Sequence, residues 1–268
     1  MMNRAMSLPA ALPPDVRLMN TVSVCLSLLF VAMALALCMA WLVRQPLFNL
    51  DAIRVSGDLT HSNAATLRAH VAPQLAGNFL TVDLESTRAA FESVPWVRQA
   101  RVQREFPNRL KVVLQEHKAV AYWGPESQAR LVNNHGEVFE ANPGEVENQE
   151  LPWLAGPMSQ APQVLQAYQE LLPLFERMDA VIEQLELSEL GSWRALLDSG
   201  AVIELGDGSL VQVQARAQRF IDTVMQVSSR FGRDVESADL RYASGYALRL
   251  RGVTTADVGD KDDKKKKR

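Results

Sequence analysis

Residues 18–43 read LMNTVSVCLSLLFVAMALALCMAWLV, a run of 26 residues without one charged side chain, closed by Arg17 and Arg44. At about 1.5 Å per residue a helix of this length reaches roughly 39 Å, enough to cross a ~30 Å hydrocarbon core with some tilt. A buried helix of a soluble domain is rarely so long and so apolar on every face. The apolar part of a secretory signal is shorter, about 7–15 residues. Ala34-Leu35-Ala36 looks like a cleavage site but lies in mid-run, and Leu37 is a poor neighbour for a lipid-modified Cys38. The run therefore predicts a retained transmembrane anchor, with Trp41 near the level where interfacial aromatics lie. Arg4 and Arg17 on one side match Arg44 and Arg54 on the other, so flanking charge leaves the orientation open. The short tail before the anchor and the long chain after it fit N-in, C-out.

Of 268 residues, 225 follow the anchor, which suits one large domain or two small ones. A net charge of −3 gives no basic footprint for nucleic acid. Both cysteines, Cys25 and Cys38, lie in the anchor, so the remainder can form neither a disulfide nor a thiolate metal site. Residues 1–17, with Pro9, Pro13 and Pro14, predict a short flexible tail, and Pro46 ends the anchor helix.

Residues 46–117 predict a first folded module. Alternation over 48–57 gives a strand ending at Gly57. Thr60 or Ser62 caps a helix whose inner face carries Leu67 and Val71, broken by Pro73; Asp83 caps a second helix with Leu84, Thr87, Phe91 and Val94 at helical spacing. Residues 97–104 and 109–116 then form two strands around the turn Glu105-Phe106-Pro107-Asn108, with Leu110, Val112 and Leu114 on one face. The order strand, helix, helix, strand, strand predicts helices packed on a three-stranded sheet.

Residues 118–252 predict a second α+β domain with a mostly antiparallel sheet. Asn134-His135-Gly136 turns a hairpin, 151–157 is a short strand or loop, and 160–178 has helical spacing interrupted by Pro173. A strand over 181–187, a hairpin around Asp198-Ser199-Gly200, a helix over 211–232 and strands over 236–242 and 245–251 complete it. Residues 253–268, ending DDKKKKR, predict a disordered charged tail.

Nothing in the pattern supports catalysis or a cofactor. His61, His70, His117 and His135 form no H-x3-H or HExxH pair, and no G-x-S-x-G or Walker loop occurs. Gly206-Asp207-Gly208-Ser209 lacks a phosphate-binding lysine and reads as a tight turn; Glu183, Glu186 and Glu189 read as a wetted face. Trp96, Trp123, Trp153 and Trp193 read as core or hinge anchors rather than sugar platforms. The final strand is a candidate sheet edge, with Tyr246, Leu248 and Leu250 pointing one way and Ala247, Arg249 and Arg251 the other. Such an edge either accepts a partner strand or is blunted by its arginines, and the residues alone do not choose.

The phrases FNLDAIRVSG, GNFLTVDL and VPWVRQARVQREFPNRLKVVLQEHKAVAYW, followed by LVNNHGEVF, LPWLAGP, IELG, QRF and ADLRYASGYA, resemble the FtsQ/DivIB family of bacterial cell-division proteins in their full order. The resemblance covers residues 18 to about 252. It departs at Leu190-Gly191-Ser192, where the family often has a basic residue just before the tryptophan, so the resemblance implies no contact from that position here. The resemblance implies a POTRA module at 46–117, an FtsQ-type β domain at 118–252, and no enzyme activity. It implies a single-pass protein of the inner membrane at the division septum, with a cytoplasmic N terminus and a periplasmic bulk. It would be a scaffold that links early and late division proteins, recruits through the POTRA module, and holds FtsB and, through it, FtsL at its C-terminal strands. The implied contact residues are Arg241, Tyr242, Ser244 and Gly245; the strand pattern adds Leu248 and Leu250. Two other readings are a POTRA protein of polypeptide transport, which would need a β-barrel not seen here, and a membrane-tethered wall hydrolase, which would need a catalytic group not recognised here. A membrane-bound sensor would need a ligand pocket that sequence cannot show.

Overall fold

A computed structural model describes residues 14–43, 45, 48–75, 77–231, 233–242 and 244–252. Most of the first tail and all of the last fall outside these residues. Contacts divide the chain into two compact units, one of Met1–Gly57, Ala65–Phe91 and Ala100–Leu114, the other of Asp58–Ala64, Glu92–Gln99 and Gln115–Arg268.

Helix α1 (Pro14–Val43) starts four residues before the uncharged run. Proline is tolerated there because the first turn of a helix has no use for its N–H. Over Leu18–Trp41 no side chain is buried by the rest of the chain, as a lipid-facing helix requires. β1 (Ala52–Gly57), α2 (Ala64–Val71), α3 (Leu84–Glu92), β2 (Val97–Glu105) and β3 (Arg109–Glu116) follow in the expected order. The sheet runs β1-β3-β2, with β1 parallel to β3 from Ala52 opposite Arg109 to Gly57 opposite Leu114. β1 is shorter than alternation suggested. Phe48 N–H turns back onto the Gln45 carbonyl at 3.1 Å and Phe48 C=O accepts from Phe79 N–H at 2.8 Å, which takes these residues out of the sheet. Asp83 caps α3, accepting from the Glu85 N–H at 3.0 Å and from the Ser86 hydroxyl. Leu67, Val71, Phe79, Phe91, Leu110, Val112 and Leu114 are buried, which accounts for both helix stripes and the inner face of β3.

The second unit is built on a nine-stranded sheet of order β12-β11-β10-β9-β8-β7-β4-β5-β6. Its strands are β4 (Ala119–Trp123), β5 (Arg130–Asn133), β6 (Val138–Phe139), β7 (Trp153–Ala155), β8 (Ile182–Leu187), β9 (Ser192–Leu197), β10 (Val202–Asp207), β11 (Val235–Asp239) and β12 (Ala247–Leu250). The neighbours β4/β7, β7/β8 and β10/β11 are parallel and the others antiparallel. Helices α4 (Ala161–Glu176) and α5 (Leu210–Phe231) lie on the sheet, with Val164, Leu171, Phe175, Val213, Phe220 and Val224 packed in one core with Leu185, Ile203 and Ala238. Pro173 is exposed and α4 runs through it. Trp96, Trp123 and Trp193 are buried anchors, and Trp153 stacks on Tyr122 with centroids 4.7 Å apart.

The stretches 58–64 and 92–99 belong to this unit and carry an aromatic and acidic cluster. His61 stacks on Trp96 (centroids 3.8 Å), Trp96 meets the edge of Phe139 (5.3 Å), and Phe139 stacks on His117 (4.1 Å). The Glu116 carboxylate accepts backbone N–H bonds from Thr60 and His61 at 3.0 Å and from Ser62 at 2.7 Å. Burial pushes this carboxyl up, but the hydrogen bonds from His61, Ser62 and Thr60 outweigh it and hold it below its usual range. Arg98 forks onto Glu137 at 2.7 and 3.1 Å, and this bond, reinforced by the Asn133 amide against a smaller effect of burial, brings Glu137 from 4.5 down to about 2. Burial, reinforced by the Arg98 and His135 charges and opposed by Glu137, lowers His117 from 6.5.

All three groups bind protons more weakly in the folded chain than in the unfolded one, so each contributes stability at high pH that is lost on acidification. The melting temperature of the detergent-solubilised chain is expected to fall first as pH drops below 6.5, when unfolding allows His117 to charge, and further between 4.5 and about 2 as Glu137 protonates. Glu137→Gln should reduce the lower part of that fall, the remainder belonging to Glu116; a variant whose melting curve keeps the fall in full would contradict the assignment.

Candidate partner-docking edge

β12 is the outermost strand of the nine-stranded sheet, and among the described residues no strand pairs with its outer side. It is antiparallel to β11, with Asp239 opposite Ala247, Ala238 opposite Leu248 and Ser237 opposite Arg249; a bulge on β11 then brings Val235 opposite Leu250. Arg251 N–H donates to the Asp234 carbonyl at 2.9 Å. Backbone groups alternate along a strand, so those of Arg249 and Ala247 also face β11, and those of Leu248 and Leu250 face outward. The side chains divide differently. Leu250 is 8% exposed and Leu248 packs partly buried on the same core, while Ala247, Arg249 and Arg251 are exposed. Leu248 and Leu250 thus present main-chain donors and acceptors, not side chains, to anything that docks. On the exposed face Arg249 pairs with Glu236 at 3.3 Å.

The other expected contact residues lie in the loop between β11 and β12. Sequence alternation continues the strands through 242 and from 245, but β11 stops at Asp239 and β12 starts at Ala247. Asp239 is the cause. Its carboxylate accepts from the Arg241 N–H at 3.1 Å and from the Arg241 guanidinium at 2.9 and 2.7 Å, a turn that a short acidic side chain imposes on its own chain. The Arg241 hydrogen bond holds the Asp239 carboxyl below its usual range, and Asp239 in turn raises Arg241. Leu240 is buried and its N–H donates to the Glu204 carbonyl at 2.8 Å, which fixes the loop to β10. Tyr242, 57% exposed, and Ser244 and Gly245, also exposed, stand beyond it. Tyr246 closes the loop, edge-on to Phe220 at 5.2 Å and with its hydroxyl 2.7 Å from that of Thr223. Between loop and α5 is a cavity of about 350 Å³ lined by Arg216, Arg219, Asp222, Thr223, Leu240, Ser244, Gly245 and Tyr246. A Cβ at Gly245 would meet nothing within 4 Å, so the space beside it is open.

Sequence alone makes Gly206 part of a tight turn; in the structure it also positions this site. Its φ is +81°, and a Cβ there would stand 3.0 Å from Arg241 Cγ. Gly206→Ala is expected to cost about 1–2 kcal/mol, because an L side chain disfavours that backbone and displaces Arg241. A thermal melt unchanged from wild type would refute this.

The sequence compares closely with known proteins along most of its length. The family model "POTRA domain, FtsQ-type" matches residues 48–117, and that of "Cell division protein FtsQ/DivIB, C-terminal" matches 121–241. The cell division protein FtsQ of Thiomonas arsenitoxydans is 40% identical over 91% of this chain and 91% of its own length. That of Burkholderia pseudomallei is 40% identical over 92% of this chain and 99% of its own, and that of Bordetella pertussis 37% identical over 88% and 92%. With one apolar helix ahead of a POTRA domain and a mixed, mostly antiparallel domain that ends in an open edge, the chain is a single-pass membrane protein of cell division and belongs to the FtsQ family.

Proposed function

We propose that this protein is a non-enzymatic scaffold of the inner membrane at the division septum, with its N terminus in the cytoplasm and its bulk in the periplasm. It links early and late division proteins and binds the FtsB–FtsL pair there, by adding an FtsB strand to the outer side of β12. The observation that carries this reading is the outer side of β12, which no strand among the described residues covers and where Leu248 and Leu250 turn their N–H and C=O groups outward. Main-chain bonds to these groups supply affinity. Tyr242, Ser244 and Gly245 on the loop, with Arg241 held beside them by Asp239, supply choice of partner. An acidic FtsB side chain suits this end of the edge, where Arg216, Arg219 and Arg241 gather near the loop. The POTRA domain serves recruitment of other division proteins. No cofactor, nucleic acid or small-molecule substrate enters this reading.

Tyr242→Ala removes an exposed aromatic ring, and Ser244→Glu places a negative charge on the loop. Both are expected to weaken FtsB capture at least about tenfold while the melting temperature stays within a degree or two, because exposed positions contribute little to the core. Capture by both variants at the wild-type level would remove the proposed site.

A further inference from the structure

We infer that the turn at the start of β3, together with the loop at 78–81, rests on the bilayer that α1 spans, with Phe106 and Leu80 as its apolar contacts. Phe106 is 83% exposed and Leu80 45% exposed, both large apolar side chains on loop tips rather than in a packed face.

Both tips are fastened to the first residues beyond the helix. Phe48, five residues past the helix end at Val43, donates its N–H to the Gln45 carbonyl at 3.1 Å. Five residues span at most about 18 Å even when extended. Phe79 N–H then bonds to the Phe48 carbonyl at 2.8 Å, which places Leu80 one residue from that anchor point. The Phe106 turn is held to the same stretch. Asp51 N–H donates to the Asn108 carbonyl at 3.0 Å, and the Asn108 amide bonds to the Asp51 carboxylate. The two tips are also tied together, since Arg104, two residues before Phe106, donates to the carbonyls of Phe79 (2.9 Å) and Val82 (2.7 Å).

Topology gives the direction. β1 is parallel to β3, and Ala52 lies opposite Arg109, so the turn that precedes β3 sits at the end of the sheet where the chain arrives from α1. Exposed apolar side chains so close to a membrane-spanning helix have the headgroup and upper acyl region as their nearest apolar surroundings, where interfacial elements bury about 5–10 Å. The occupant is therefore the lipid surface around α1 and not a second protein. The contact fixes the tilt of the first folded unit against the membrane.

The test uses the full chain with Cys25→Ala and Cys38→Ala, reconstituted in phosphatidylcholine vesicles that carry a nitroxide near the headgroup end of the acyl chain. An environment-sensitive fluorophore is attached at Leu80→Cys or, as reference, at Arg101→Cys, which is exposed on β2 and about 16 Å of strand from the Phe106 turn. The label at 80 is expected to be quenched by the lipid nitroxide at least about threefold more than the label at 101, and adding Phe106→Ser should cut that difference by half or more. Equal quenching at 80 and 101 overturns the inference, as does an unchanged value on Phe106→Ser. A melting temperature equal to the parent's verifies that each variant is folded. Since FtsB is absent from the assay, the outcome does not depend on the docking edge.

Discussion

Leu248→Pro is expected to weaken the proposed capture of FtsB about 30-fold or more while the sheet stays intact. The Leu248 N–H faces away from β11, so its loss breaks no bond within the domain, and β12 is the one kind of strand in which proline is tolerated. A docked strand loses that donor and meets the pyrrolidine ring, a cost of about 2 kcal/mol or more, ~30-fold in affinity. Leu248→Ala is the necessary companion, because the Leu248 side chain packs on the core and its removal alone destabilises. The alanine variant should melt lower yet bind; the proline variant should melt near the alanine variant and bind about 30-fold more weakly or less. Equal binding by both in surface plasmon resonance would show that the edge is not used through its main chain.

Glu116→Leu should be the most damaging single change in the chain. The Glu116 side chain is 4% exposed and satisfies three successive backbone amides, of Thr60, His61 and Ser62. A leucine leaves those donors without their acceptor in a site closed to water. At about 1–3 kcal/mol for each unsatisfied group, partly relieved by relaxation, the expected loss is about 3–5 kcal/mol. Domains of this size have only about 5–15 kcal/mol to lose. Glu116→Gln keeps one good acceptor oxygen and should lose roughly half as much. Denaturant melts of the detergent-solubilised chain measure both; a leucine variant within about 1 kcal/mol of wild type would show that the three amides find other partners.

Much of this architecture is legible residue by residue. The anchor follows from 26 uncharged residues, and the β-α-α-β-β order from alternation on β3 and helical spacing around Phe91. The nine-strand order is not legible. Parallel neighbours such as β10 and β11 are joined through a 22-residue helix, and no local pattern says on which side of the sheet the chain returns. The residues 238–242 alternate as a strand would, but the Asp239 side chain captures the Arg241 amide and ends the ladder, a competition that alternation does not record. Period two separates Leu248 and Leu250 from Arg249, yet it does not say which set meets the core. The stack of His61, Trp96, Phe139 and His117 joins residues far apart in sequence, so histidine spacing could not reveal it.

The parallel pairing of β11 on β10 also sets a schedule. β11 and β12 are laid down only after the whole of α5 has crossed back over the sheet, so among the described residues this edge is the last part of the fold to be completed as the chain emerges. A chain interrupted before residue 235 would leave β10 as the outer rail instead, lined by Glu204 and lacking the 241–245 loop. On the proposed reading assembly is thereby reserved for finished molecules, since the edge that carries the 241–245 loop does not exist until the rest of the sheet does.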